Sequence, residues 1–99
     1  MHIKNNSTAT KTQPRDNKVL GEVFFLDTLF EFSKNNSDKN IAVSHLINIK
    51  YKFDIYHIKK NSTRLYLLSI LEKMMNCSYI SESKHNQVKH IYKKIINNE

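Results

Sequence analysis

The sequence predicts a small α+β domain that is mainly helical. Two observations support this class: an unbroken apolar/polar alternation between Ile47 and Ile55, and two later segments whose apolar residues recur at helical spacing. A chain of 99 residues has the size of one domain. We therefore expect a flexible tail over residues 1–15 and one domain over residues 16–99, built in the order helix, strand, helix, helix.

The tail prediction follows from composition. Residues 1–15 are polar, contain the only proline, Pro14, and carry three bases with no acid. They show no apolar periodicity, so nothing in them would pack against a core. A basic tail of this kind can add phosphate contacts, but it is typically just solvated.

A helix over residues 18–32 is favoured for the first element. In a helix, one side is lined by Val19, Val23, Leu26 and Phe30. The alternative is a strand, which would place Asp27 and Glu31 on one face with apolar neighbours. The phenylalanine-rich surface of the helix is expected to pack in the core or at a dimer contact, with a recruited partner as the other possibility.

The alternating stretch, residues 47–55, is predicted to be a strand. Successive strand residues point to opposite faces, so every second side chain would face the core. If the stretch were helical, its five apolar and four polar residues would interleave around the axis instead of separating. The residues expected to face the core are Ile47, Ile49, Tyr51, Phe53 and Ile55.

Two helices are predicted after the strand, near residues 62–76 and 83–97. Asn61 or Ser62 can cap the first, and Ser81 or Ser83 the second. The first helix is apolar over most of its circumference, which suggests coverage by a second copy of the chain. The second has one apolar stripe, formed by Val88, Ile91, Tyr92, Ile95 and Ile96.

The charge distribution narrows the possible partners. The net charge is +7, and residues 47–99 hold ten bases against four acids. Such a balance favours nucleic acid, an anionic membrane surface or an acidic protein. No apolar run is long enough for a signal core or a membrane span, and the single cysteine excludes an intramolecular disulfide. We expect a cytoplasmic protein without membrane contact.

Catalytic chemistry has little support in the sequence. There is no Gly-rich phosphate loop, no paired carboxylates and no nucleophile beside a plausible base. Cys77, His85 and His90 lack the tight paired spacing and the fourth ligand of a structural zinc site. We expect no enzyme activity, no cofactor and no metal.

The order of strand, capped helix, short turn and second helix resembles the ribbon-helix-helix family of dimeric DNA-binding repressors over residues 47–97. The resemblance implies that two copies pair their strands into a ribbon that enters the major groove, while a helix N-terminus holds a phosphate. Asn48, Lys50 and Lys52 would then face the groove, and Ser81 and Ser83 would bind phosphate. Further backbone contacts would come from Lys59, Lys60 and Arg64.

The sequence departs from the family pattern in three respects. Asp54 would lie on the groove face, the turn between the helices has no glycine, and the link from Ile55 to Asn61 is long. The residues before the strand could also pair with it in a hairpin within one chain.

The expected function is that of a homodimeric DNA-binding protein that regulates transcription or a mobile element. The alternative is a protein-binding inhibitor or adaptor. Such a protein would engage an acidic partner through its basic surface or add its strand to a partner's sheet.

Overall fold

The computed structural model describes residues 12–98, with side chains from Asn17 onward. It contains four α-helices: α1 (Thr12–Phe32), α2 (Asn36–Lys52), α3 (Asn61–Met75) and α4 (Glu82–Asn97). A short 3₁₀ helix, Ile55–His57, lies between α2 and α3. No strand occurs in residues 12–98, so the predicted α+β class is wrong and the described chain is all helical.

The predicted strand is replaced by the end of α2. This helix begins at Asn35, whose side chain accepts a hydrogen bond from the Asp38 backbone N–H at 2.8 Å. Once a capped first turn has formed, each added residue lengthens the helix at little cost in free energy, because it adds one backbone hydrogen bond. The buried side of α2 then follows helical spacing through Ala42, Val43, Leu46 and Ile49.

The apparent alternation joins two different structures. It combines the last helical residues of α2 with an extended segment at Phe53 and the 3₁₀ helix that follows. Of the five residues expected in the core, Ile49 and Ile55 are buried and Ile47 and Phe53 are half-buried, whereas Tyr51 is 79% exposed. A true strand with one core face would have buried all five, so the prediction failed at Tyr51.

The helix predictions were more successful. The expected helices at 62–76 and 83–97 are confirmed as Asn61–Met75 and Glu82–Asn97, and the helix over 18–32 is part of Thr12–Phe32. Ser81 caps α4, because its hydroxyl accepts from the Lys84 backbone N–H. The N-cap residue of α3 is Lys60, which makes no side-chain cap, so capping by Asn61 or Ser62 was wrong. Of the predicted tail, residues 1–11 lie outside the described residues and residues 12–15 begin α1.

The four helices form a bundle in which α1 and α4 each pack against both α2 and α3. Glu22 contacts His45 and the Phe30 carbonyl contacts Lys39, so α1 and α2 are antiparallel. Since α2 and α3 occupy diagonal positions, residues 53–60 must cross one end of the bundle. Ile55 and Ile58 are buried there and close the core.

Most of the nearly all-apolar helix α3 is covered within one chain, and Leu65 is the large apolar residue of this helix that stays exposed, at 53%. Its buried residues are Thr63, Leu67, Leu68, Ile70, Leu71 and Met74. On the side facing α1, Asp27 accepts a hydrogen bond from the Tyr66 hydroxyl at 2.8 Å, and the Lys73 Nζ lies 3.0 Å from Glu31. A dimer is therefore not required to bury this helix, and the argument for self-association must come from another surface.

Candidate nucleic-acid interface

One end of the bundle concentrates positive charge. The last turn of α2, the crossing segment, the start of α3 and the last turns of α4 all meet there. We call this region the basic end and define it by six lysines: Lys50, Lys52, Lys59, Lys60, Lys93 and Lys94.

Local contacts join the C-terminus of α4 to the crossing segment. The Asn98 side-chain amide donates to the Tyr56 carbonyl at 3.5 Å, and the Lys94 Nζ lies 4.8 Å from the centroid of the Tyr56 ring. The Tyr56 hydroxyl is neutral at physiological pH, and burial raises its pKa above the ordinary value of 10.0. Lys50 makes a similar contact, with its Nζ 5.0 Å from the Tyr51 ring. These rings hold two lysine side chains near the surface without neutralising their charge.

Little negative charge opposes the six lysines. Asp54 is the acid of the crossing segment, and its carboxylate accepts from the His57 ring Nδ1 at 2.8 Å. Five of the six lysines are exposed and Lys50 is half-buried. Exposed like charges repel one another weakly in water and attract a shared polyanion.

The helix ends at this site differ in their electrostatics. Lys50, Lys52 and Lys94 lie in the last turns of α2 and α4, where the helix dipole favours cations. The N-terminus of α3 presents the opposite case. Lys59 and Lys60 precede it, its first turn holds no acid, and no side chain caps its free N–H groups. A helix N-terminus with uncapped amides and flanking cations is suited to an anion such as phosphate.

A shallow groove between α2 and α4 opens beside the basic end. Its volume is about 220 Å³, and it is lined by Ile47, Lys50, Asn86, Gln87, His90 and Ile91. Amide, imidazole and ammonium groups are the side chains that commonly contact phosphate and sugar oxygens. The groove therefore adds polar side chains beside the positively charged surface, along α2 and α4.

The predicted site residues fall into two groups. Lys50, Lys52, Lys59 and Lys60 belong to the basic end, with Arg64 in the first turns of α3 and Asn48 exposed on α2. Ser81 and Ser83 lie at the start of α4, at the other end of the bundle. There the Ser81 backbone N–H donates to the Asn40 side-chain oxygen at 3.1 Å, and Glu82 adds a negative charge.

Lys93, Lys94 and three polar residues of the α2–α4 groove, Asn86, Gln87 and His90, were absent from the predicted site, whereas Lys50 of the same groove was part of it. The row of lysines opposite the apolar stripe of α4 was visible in the sequence. The contact of the last turns of α4 with the crossing segment depends on the path of that connection, for which the sequence carries no local signal.

Neither family models, characterised proteins nor solved structures provide a match to this chain. Within residues 12–98, no helix is sufficiently long and apolar to span a membrane. The same part of the chain has no group of three or more His, Cys, Asp or Glu side chains arranged to hold a metal ion. His85, considered above as a zinc ligand, instead bonds through its ring nitrogen to the Met75 carbonyl.

Proposed function

We propose that the protein binds nucleic acid, with duplex DNA as the preferred partner, through the basic end. The observation that carries the proposal is the uncapped N-terminus of α3, flanked by Lys59 and Lys60 and set among four further lysines. The helix N-terminus accounts for one phosphate, and the other lysines account for neighbouring phosphates of the same backbone.

The binding mode is contact with the phosphate backbone. Because α2 continues to Lys52, the groove-reading strand that would have placed Asn48, Lys50 and Lys52 against base edges does not exist. Lysines on helix ends provide register and affinity but little sequence information. A small cytoplasmic protein of this kind acts in regulation by occupying or organising DNA, and any sequence preference comes from the shape of the DNA.

A basic surface can also bind an acidic protein, which is the alternative function given in the sequence analysis. Regular phosphate spacing distinguishes the two partners, since duplex DNA carries one charge per about 1.7 Å of its axis. Six lysines spread over three element ends match a continuous charged surface better than they match a single acidic peptide. The alternative of adding a strand to a partner's sheet has lost its basis, because no strand is present in residues 12–98.

The proposal is tested by fluorescence anisotropy with a labelled duplex of about 30 base pairs. The test variant is Lys59→Gln with Lys60→Gln, which removes two charges beside α3 while leaving the exposed surface polar. With six phosphate contacts, raising salt from about 50 to about 200 mM should weaken wild-type binding about 10³-fold, and with four contacts only about 10²-fold.

The control variant is Lys34→Glu. Lys34 is exposed in the connection between α1 and α2, at the other end of the bundle, and its reversal changes the net charge by the same two units. The proposal requires the Lys59/Lys60 variant to bind much more weakly than the Lys34 variant. Equal losses in the two variants would show a general charge effect and would refute a localised site. Binding of polyglutamate as tightly as duplex would favour the acidic-protein alternative.

A further inference from the structure

The solvent-facing side of α1 is unusually apolar. Phe24, Phe25 and Phe32 are 63%, 53% and 76% exposed, although the buried side of the same helix supplies Val19, Val23 and Leu26 to the core. We call the exposed side the phenylalanine face, defined by Gly21, Phe24, Phe25, Thr28 and Phe32. It carries no charged residue, and exposed aromatic clusters of this kind typically mark an interaction surface.

Gly21 is not explained by the fold of one chain. It lies inside α1, where glycine costs about 1 kcal/mol relative to alanine. A Cβ atom added at this position would meet nothing within 4 Å. The absence of a side chain therefore provides space for a neighbouring helix outside the bundle, which can approach a glycine closely.

A groove beside the face leads toward α2. It has a volume of about 380 Å³ and is lined by Phe25, Thr28, Leu29, Phe32, Ser33, Asp38 and Ile41. Ile41 is 54% exposed and extends the apolar surface onto α2. Asp38 places a carboxylate at the rim of the groove.

We propose that the phenylalanine face binds a second copy of the chain, with the two α1 helices antiparallel about a two-fold axis. In an antiparallel pair, residue numbers rise along one helix while they fall along the other. Residues that lie opposite each other on the contact line therefore have numbers that add up to the same total. With the axis between Phe24 and Phe25, Gly21 of one copy faces Thr28 of the other, twice. Phe24 and Phe25 of one copy then lie beside Phe24 and Phe25 of the other, and every contact occurs twice, as an isologous interface requires.

Charge complementarity supports the same register. The axis places Lys18 of one copy at the level of residues 31 and 32 in the other, on the flank that faces the groove and Asp38. Lys18 and Asp38 are both exposed and form no ion pair within the described chain. The pairing would therefore create two symmetric Lys18–Asp38 contacts. It also places the two basic ends on opposite sides of the two-fold axis, since α1 runs from one end of the bundle toward the other.

The exposed phenylalanines supply about half of the area that a dimer interface of ordinary size buries. If a whole phenylalanine contributes about 200 Å², the exposed fractions of Phe24, Phe25 and Phe32 supply about 400 Å². A stable interface uses about 800 Å² per partner. The stem of Lys18, Gly21, Thr28 and Ile41 are exposed neighbours that add to this area.

The test is sedimentation equilibrium of the full chain without nucleic acid, so its outcome is independent of the proposed function. Wild type should be a dimer at micromolar concentration. Phe24→Ser with Phe25→Ser should weaken dimerisation at least 100-fold while helical circular dichroism is retained. Tyr79→Ser is the matched control, because Tyr79 is 55% exposed but lies between α3 and α4.

Two further variants test the register itself. Gly21→Leu should raise the unfolding temperature of the isolated monomer through better helix propensity, yet weaken the dimer at least tenfold through a clash with Thr28. Lys18→Asp and Asp38→Lys should each weaken the dimer, and combining them should restore it. A wild-type monomer at about 100 µM would overturn the proposal. A dimer that is insensitive to all of these changes would do the same, and so would a monomer that captures only helices of other proteins.

Discussion

Substitution of Ile49 and Tyr51 by alanine separates the helical structure from the strand that the sequence suggested. Ile49 is 1% exposed on the buried side of α2, whereas Tyr51, two residues later, is 79% exposed. Removing about three buried methylene equivalents from Ile49 costs about 2.4 kcal/mol of transfer free energy. The remaining cavity raises the total to about 3–4 kcal/mol. At Tyr51 the expected cost is within about 0.5 kcal/mol, because the side chain is in solvent.

The assay is urea denaturation followed by circular dichroism at 222 nm, with all variants at one protein concentration because self-association adds to apparent stability. In thermal scans the Ile49→Ala loss corresponds to a decrease of about 12–30 °C in Tm. A strand would bury both residues on one face, so comparable losses at Ile49 and Tyr51 would refute the helical account of residues 47–52.

Further predictions concern the cap of α4, the contacts between α1 and α3, and the spacing of the basic ends. Ser81→Ala should lower the free energy of unfolding by about 1 kcal/mol because it removes the cap, while Ser83→Ala should be nearly neutral; equal effects in urea titrations would contradict this assignment. Burial and the hydrogen bond to Asp27 raise the pKa of Tyr66, and hydrogen bonds to Glu31 and Asp27 raise the pKa of Lys73. Both groups bind their protons more tightly when folded, so stability should fall as the pH rises above the ordinary values of 10.0 and 10.5. Tyr66→Phe should flatten that fall, and an unchanged pH profile would count against the Asp27 contact. In the proposed dimer the basic ends are separated along the α1 axis by about 30 Å, as calculated from the helical rise per residue. This distance is close to one turn of duplex DNA. Affinity should therefore increase abruptly as the duplex is lengthened past about 12 base pairs, whereas a merely gradual increase would exclude simultaneous engagement.

The helices were predictable where the apolar spacing was long and regular. The stripe of α4 extends over Val88, Ile91 and Ile95, and the Ser81 cap was among the two serines expected. Such segments combine a local start signal with a buried face, so local and tertiary preferences agree.

The strand was mispredicted because the prediction relied on the nine residues 47–55 and not on the residues that precede them. Residues 41–46 show no alternation, and the Asn35 cap that begins α2 lies in a polar stretch without apolar periodicity. Tertiary packing of Ala42, Val43, Leu46 and Ile49 then decided the structure. The period of two in residues 47–55 reflects a helix end followed by an extended segment and a 3₁₀ turn.

The candidate site was predictable in composition but not in arrangement. Lys50, Lys52, Lys59 and Lys60 could be selected from the charge of the C-terminal half alone. Their location at the same end of the bundle as Lys93 and Lys94 depends on the diagonal crossing of residues 53–60. Burial of Ile55 and Ile58 against the other helices fixes this crossing. No local pattern in a single sequence encodes that contact.

The salt dependence of wild-type binding to duplex DNA tests the central claim most directly. If the six lysines of the basic end each contact a phosphate, a plot of log K against log salt concentration should be linear with a slope of about −5. A slope near zero, or no binding at about 50 mM salt, would contradict the proposal that the basic end binds nucleic acid.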